Sequence, residues 1–447
     1  MYFIFGYNDT TAFNIDKIAN EAMAMFFEEG IIANYVATDY ENEFASWGDT
    51  LRIPYPAEMD ADRTPEGTAA GVTALDSSYH DLKLNQRLTL GFTIGTREQQ
   101  RSFQNLAETY LRPTMRGLAK LRDRVIQGEV YKSYGNTAGA LGAALTFDDI
   151  INAGTIMTEN HVPTMGRNAI VGPRMGGYIR KMDEFIANVS STDDTVIRTG
   201  LIGDINGFAV HETSSFVTVA QSTRVTGAVN SASMVAGTTA VIVDSFSAAI
   251  TSGSWCTIAG VPYRITSTVG GATPTTLNIE GGLRDDVADN AVVYVYTPSV
   301  VNHPTAGNYA AGYEGWIGWD GAVTPKVGQG VTFGTDGLPY SIVRIDGGNI
   351  LLNRPLDVAV NNDASIFLMP GGNYGVALSK NSIQIANRPL AIPGEGEGVR
   401  ASVVDGGGWS IRVMSEYDMY KAETTYMFDF IMGAKSLQPA LNVIFLG

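Results

Sequence analysis

The feature that most constrains this chain is a change of character in its middle. From 217 to 370 the sequence is dominated by Thr, Ser, Val and Gly in short β-like runs with almost no helical periodicity, whereas both flanks mix helical and strand patterns. Such runs must pair with one another, so the segment is predicted to be an independently folding all-β domain inserted into an α+β domain. It also repeats. Gly260-Val261-Pro262-Tyr263-Arg264-Ile265 returns as Gly337-Leu338-Pro339-Tyr340-Ser341-Ile342. Cys256-Thr257-Ile258 precedes the first copy as Val331-Thr332-Phe333 precedes the second, and Asp286-Val287-Ala288 with Val293-Tyr294-Val295 matches Asp357-Val358-Ala359 with Ile366-Phe367-Leu368. Two related tandem modules are expected.

The flanks supply the other elements. Ile15, Ile18, Ala22, Met23 and Phe26 are at helical spacing between a capping Asn14 and a stop at Gly30. Weak alternation follows from Tyr35 to Phe44. Gly48 to Pro54 reads as a turn and a short strand, 56–78 as a polar excursion, and Leu82 to Ile94 as the returning strand of a long two-stranded arm. Such an arm is expected to be mobile in an isolated subunit and ordered in an assembly. Thr96 caps the longest helical pattern, reaching to about Lys132 with Leu106, Tyr110, Leu118, Leu121 and Val125 on its stripe and a kink predicted at Pro113. After a loop at 136–144, Thr146-Phe147-Asp148-Asp149 opens a helix, followed by a strand at Asn168 to Val171 and a helix from about Met175 to Phe185. Two alternating strands, Trp409 to Tyr417 and Thr424 to Met432, precede an unusually apolar C-terminal strand, Leu441 to Leu446.

Composition narrows the function. The 447 residues exceed what one core usually serves, and only 17% are charged, leaving neutral surface for neighbours. A net charge of −16 argues against coating DNA. The charge is uneven. Residues 1–95 carry five basic against fifteen acidic side chains, and 97–132 carry eight against four, a pattern suited to contacts between copies of one chain. The apolar start lacks the basic region of a signal peptide, and no stretch is long enough for a membrane span. The single Cys256 closes no internal disulfide.

Catalytic patterns are not found. His80, His161, His211 and His303 lie far apart without a second ligand at metal-site spacing, and Cys256 reads as a small buried thiol in a β run. Gly433-Ala434-Lys435-Ser436 resembles the end of a phosphate-binding loop but lacks its first glycine, so a turn is expected. Gly394-Glu395-Gly396-Glu397-Gly398 would place carboxylates against a pyrophosphate. Asp193-Asp194 and Asp285-Asp286 read as solvated turn charges. No enzyme activity, cofactor or metal is expected.

The order of these elements resembles the coat proteins of tailed double-stranded-DNA phages with the HK97-like fold, in particular the podophage type whose coat carries an inserted β-domain. The residues that carry the resemblance are Glu43-Phe44 with Gly48 to Pro54, Tyr110-Leu111-Arg112-Pro113, Val162-Pro163 before Arg167 to Pro173, and Gly203-Asp204-Ile205-Asn206-Gly207-Phe208. Arg388-Pro389-Leu390, Tyr417-Asp418-Met419 and Asp429 to Lys435 with Leu437-Gln438-Pro439 complete the order. The resemblance implies an N-terminal arm (1–47), an extended loop (48–95), a peripheral domain with a spine helix (96–145), an axial domain (146–216), the insert (217–370) and a completing segment (371–447). It leads us to expect one barrel-like insert, where the repeat predicts two modules. It implies a virion shell of hexamers and pentamers assembled in the host cytoplasm with scaffolding and portal proteins and a decoration protein. DNA would be packaged inside without sequence-specific binding, and no membrane would be involved. Candidate inter-subunit contacts are Arg52, Glu58, Asp60, Asp62, Arg63, Arg97, Arg101, Arg112, Arg116 and Arg124. The alternatives are a secreted or surface β-rich binding protein, an encapsulin-like compartment, and a glycan hydrolase, which would need a carboxylate pair.

Overall fold

A sheet of long strands covered by helices on one face sets the architecture. The computed structural model describes residues 15–38, 50–54, 79–95, 107–182, 203–216, 218–219, 223–271, 273–305, 307–321, 323–334, 336–393, 399–406 and 408–447. In it are a five-stranded sheet, a six-stranded sheet and two closed barrels, and one long helix packs on the five-stranded sheet and on one of the barrels. Outside the described residues lie the 56–78 excursion, the Asn14 and Thr96 caps, Asp193-Asp194 and the 394–398 glycines.

The five-stranded sheet is built on Glu423–Ser436, which pairs along one edge with Gln86–Gly95 and along the other with Trp409–Asp418 and then Ile383–Arg388. Tyr426, Phe428, Phe430 and Met432 alternate onto one face, and two helices cover them. One is Ile15–Glu29, as its spacing predicts. It seats Phe26 edge-on against Trp409 and Phe430. The other, the spine helix, is regular from Arg112 to Val130 and follows a π turn at Ala107–Leu111. The break predicted at Pro113 is thus moved ahead of it, because in the first turn of a helix the missing N–H of proline costs little. Two further readings are corrected here. The returning strand is two: Tyr79–Lys83 pairs with Thr50–Pro54, and the chain changes sheets before Gln86–Gly95. Gly433 to Ser436 is no turn; it pairs with Ile383 to Ala386 as the end of the longest strand.

The six-stranded sheet orders Thr137–Gly139, Val443–Leu446, Tyr374–Ser379, Arg167–Val171, Phe208–Glu212 and Asp204–Ile205. It explains the apolar C-terminus. Val443 and Phe445 face the helices Phe147–Glu159 and Pro173–Ile179, while Ile444 and Leu446 face the main core, so no position meets water. Each such side chain contributes roughly 1.5–3 kcal/mol by leaving water. The second helix begins at Pro173, two residues earlier than expected, and ends at Ile179. The first has the predicted capping box, Asp149 N–H donating to Thr146 Oγ1 at 3.3 Å and Thr146 N–H to the Asp149 carboxylate at 2.8 Å. Thr146→Ala should therefore cost about 1 kcal/mol in a urea titration.

Between 219 and 372 the chain forms two six-stranded barrels of identical topology, at 224–296 and 299–368. Numbering the strands of each barrel by sequence, the closed order is second, fifth, fourth, third, sixth, first in both. The correspondence extends to single residues. Cys256 pairs with Tyr263 as Val331 pairs with Tyr340, and the bulge between Ile265 and Ser267 recurs between Ile342 and Arg344. Tyr263 Oη accepts from Arg284 N–H and Tyr340 Oη from Asp357 N–H, both at 2.9 Å. One sequence match shifts by two residues: Val287-Ala288 corresponds to Val360-Asn361, because these pairs, not Val358-Ala359, close the small ladders with Met234 and Tyr309. The barrel segment leaves and returns at one place, where Val219 bridges Gly372 and Thr218 Oγ1 lies 2.6 Å from Asn373 Oδ1.

Candidate functional site: the spine helix and its charges

The spine helix carries its charges in two ways. Arg112 is half-buried and Arg116 is exposed near its start. Further along, the stripe that should be apolar contains Arg122, Asp123, Gln127 and Glu129, all buried.

Arg122 is fully enclosed, its guanidinium 4.3 Å from the Phe26 ring and 4.7 Å from that of Trp409. Its Nε is 3.5 Å from Asp123 Oδ1. Burial pushes the guanidinium down and the Asp123 carboxyl up, and their mutual attraction opposes both shifts. Asp123 Oδ2 accepts Ile31 N–H at 3.2 Å, Ile32 N–H at 3.5 Å and Ser215 Oγ–H at 3.4 Å. One carboxylate therefore joins the N-terminal segment, the spine and the chain just beyond the six-stranded sheet.

Glu129 forms the second cluster. It is 1% exposed, takes Lys132 Nζ at 2.9 and 2.7 Å, lies 3.5 Å from Arg354 of the second barrel and accepts Ser436 N–H at 2.8 Å. Burial alone would raise its pKa, but Lys132 and Arg354 outweigh burial and hold the carboxyl below the usual range. Nearby, Tyr131 Oη–H donates to Gly328 O at 2.6 Å and Asn353 Nδ2 to Val125 O at 3.3 Å, fixing the second barrel to the spine. Arg284 Nη1 to Gly139 O at 2.7 Å and Leu141 N–H to Gly260 O at 2.8 Å fix the first barrel beside the six-stranded sheet.

Of the candidate contact residues, Arg52 pairs across its own hairpin with Asp81 at 3.6 Å, and Arg124 turns inward, Nη1 donating to Val343 O at 3.4 Å. Glu58, Asp60, Asp62, Arg63, Arg97 and Arg101 lie outside the described residues. Much of the basic excess of 97–132 is thus used inside the chain, at Arg122, Arg124 and Lys132. Sequence reasoning missed this because helical spacing shows a charge in an apolar stripe but not the distant side chains that cover it.

A cavity of about 190 Å³ lies between the spine helix and the second barrel, floored by Leu121, Val125, Ile317 and Leu352. Among the described residues lining it, Glu314 is the one acid. Cys256 occupies the barrel-core position that Val331 has in the second barrel, and burial pushes its thiol up to about 12, the state of a small apolar residue. Among the described residues no three His, Cys, Asp or Glu side chains cluster to hold a metal, and no helix is long and apolar enough to cross a membrane.

No protein-family model and no curated protein sequence matches this chain. Among solved structures it is similar to a chain from Mycobacterium phage Che8, 14% identical with a TM-score of 0.44, over 93% of this chain and 90% of that one. It is also similar to a chain in the capsid structure of the cyanophage P-SCSP1u, 8% identical with a TM-score of 0.40, over 90% and 84%. A third similarity is to a chain in the asymmetric unit of the bacteriophage PhiM1 mature capsid, 10% identical with a TM-score of 0.37, over 89% and 81%.

Proposed function

We propose that this chain is the major capsid protein of a tailed double-stranded-DNA phage, a shell-building subunit of HK97-like fold and not an enzyme. The observation that carries the reading is the plan of the body. A spine helix lies on a long-stranded sheet and runs on toward a second sheet buried on both faces, while a two-stranded arm leaves the first sheet. The arm is rooted by Ile53, Leu82 and Leu84 against Ala386 and Ile431. Arms of this kind supply buried area between copies without enlarging the core.

In this reading 1–47 is the N-terminal arm, 48–95 the extended loop, 96–145 the peripheral and 146–216 the axial domain, with 371–447 completing both. Residues 217–370 are the insert, built as two tandem barrels, and the meeting of its ends at Val219 and Gly372 supports that status. Copies assemble as hexamers and pentamers around DNA in the host cytoplasm, with scaffolding, portal and decoration proteins as partners. Arg112 and Arg116 face neighbouring copies. Exposed pairs contribute only about 0–1 kcal/mol each, but shell symmetry repeats them.

Negative-stain microscopy of the purified chain should show closed shells, capsomers or tubes. Arg112→Glu or Arg116→Glu should impair their formation while cooperative unfolding is retained. A monodisperse monomer under all assembly conditions would refute the coat reading, and normal shells that lose only DNA would reassign the spine helix to the nucleic-acid lining.

A further inference from the structure

We propose that the stack of His211 on Tyr35 is a proton-operated latch that holds the segment after the N-terminal helix against the six-stranded sheet. This inference concerns the isolated subunit and does not depend on shell formation.

Tyr35 ends the short 3-10 turn Ile32–Tyr35, and His211 lies in the strand Phe208–Glu212. Their rings are 4.1 Å apart and 18° from parallel, with Tyr35 Oη 3.2 Å from His211 Nδ1. Nε2 is buried and has no hydrogen-bond partner among the described residues. The same segment is tied on its other sides by Ile31 and Ile32 to Asp123, and by Ala37 to Ile383 and Ile385 at 3.1 and 2.9 Å. The stack is thus a polar attachment of the segment to the six-stranded sheet, beside the apolar core that Ile32, Ala33 and Val36 share with Ile170 and Val376.

The chemistry makes this attachment depend on charge. A neutral imidazole needs only one nitrogen to donate, so the other can remain a lone pair. Protonation forces both to donate. Nδ1 can turn to the Tyr35 oxygen, but Nε2 then becomes a buried, charged donor with no acceptor, which is costly. The surrounding groups do not cancel this. Asp204, from the neighbouring strand, favours the cation, yet burial outweighs it and the imidazole is held below its ordinary value. Glu212 is committed to Arg180, and Asp123 to Arg122, Ile31, Ile32 and Ser215. Burial raises the Tyr35 phenol further above its ordinary value, so it stays neutral throughout. A histidine lowered in the folded state contributes stability above its unfolded value of roughly 6.5 and loses it as pH falls through the folded value. The latch is closed at neutral pH and opens in acid.

Hydrogen exchange of the full chain, read on peptides spanning 31–37 and corrected for intrinsic rates, tests this. Between pH of about 7.5 and about 5, protection should fall roughly tenfold or more in the native chain and stay level in His211→Gln. Unchanged protection in the native chain, or the same fall in the variant, would overturn the latch. Should the variant not fold, the imidazole C–H resonances of the native chain decide: His211 must titrate below the ordinary histidine value, and a normal or raised titration sinks the proposal.

Discussion

Glu129→Gln is expected to lower the free energy of unfolding by about 3–5 kcal/mol, because it leaves the enclosed Lys132 without its anion and Arg354 with Asp357 alone. Lys132 and Arg354 are each only 9% exposed at the side chain. Glutamine fills the same volume and still accepts Ser436 N–H, so the loss is one of charge and not of shape. The effect should also localise. Arg354 belongs to the second barrel and Ser436 to the five-stranded sheet, so proteolysis at the barrel boundary should accelerate before the sheet opens. The pH dependence follows from the same contacts. Because the folded pKa is depressed, the stabilisation is fully present above the ordinary glutamate value of about 4.3 and disappears only as pH falls through the lower folded value. Native protein should lose stability in that acid range more steeply than Glu129→Gln. Equal midpoints in guanidinium at neutral pH for the two proteins would refute the argument.

The second large effect is expected at Asp123. Asp123→Ala strands Arg122 between two aromatic rings and leaves Ile31 N–H and Ile32 N–H without their acceptor, again costing about 3–5 kcal/mol. Arg122→Met should cost less, since the aromatic slot accepts a thioether and Asp123, though it loses its cation, keeps its three donors and can take up a proton. This ordering is the test. If the arginine variant proved the weaker of the two by chemical denaturation, the carboxylate would not be organising the junction. Gly30 belongs to the same site. A Cβ there would come within 1.6 Å of Arg122 Nη2, so the residue that stops the helix in sequence also makes room for the guanidinium.

How far the sequence could be read depended on whether a signal was local. The repeat at Gly260 and Gly337 was legible because each hairpin needs the same Pro-Tyr spacing and the same bulge, and both are written within ten residues. Its later half was legible only to within two residues, since the ladders of Val287 and Val360 are set by partners more than fifty positions away. The turn expected at Gly433 to Ser436 is instead the end of Glu423–Ser436; a Cβ at Gly433 would meet Lys83 O at 2.1 Å, so close strand packing, not turning, explains that glycine.

By itself the sequence determined the helices at Ile15–Glu29 and Phe147–Glu159, the all-β character of 217–370 and its doubling, because periodicity, capping and turn chemistry act over a few residues. Only the tertiary structure decided that the β segment closes into two barrels, since closure depends on the first strand of each meeting strands more than ten residues away. It also decided which charges of the spine are spent inward. Arg122, Asp123 and Glu129 stand in sequence only as charges within an apolar stripe, and their roles are set by Phe26, Trp409, Arg354 and Ser436, which only folding brings to them. The cost of burying a charge depends on everything around it, and that is not a local property of the chain.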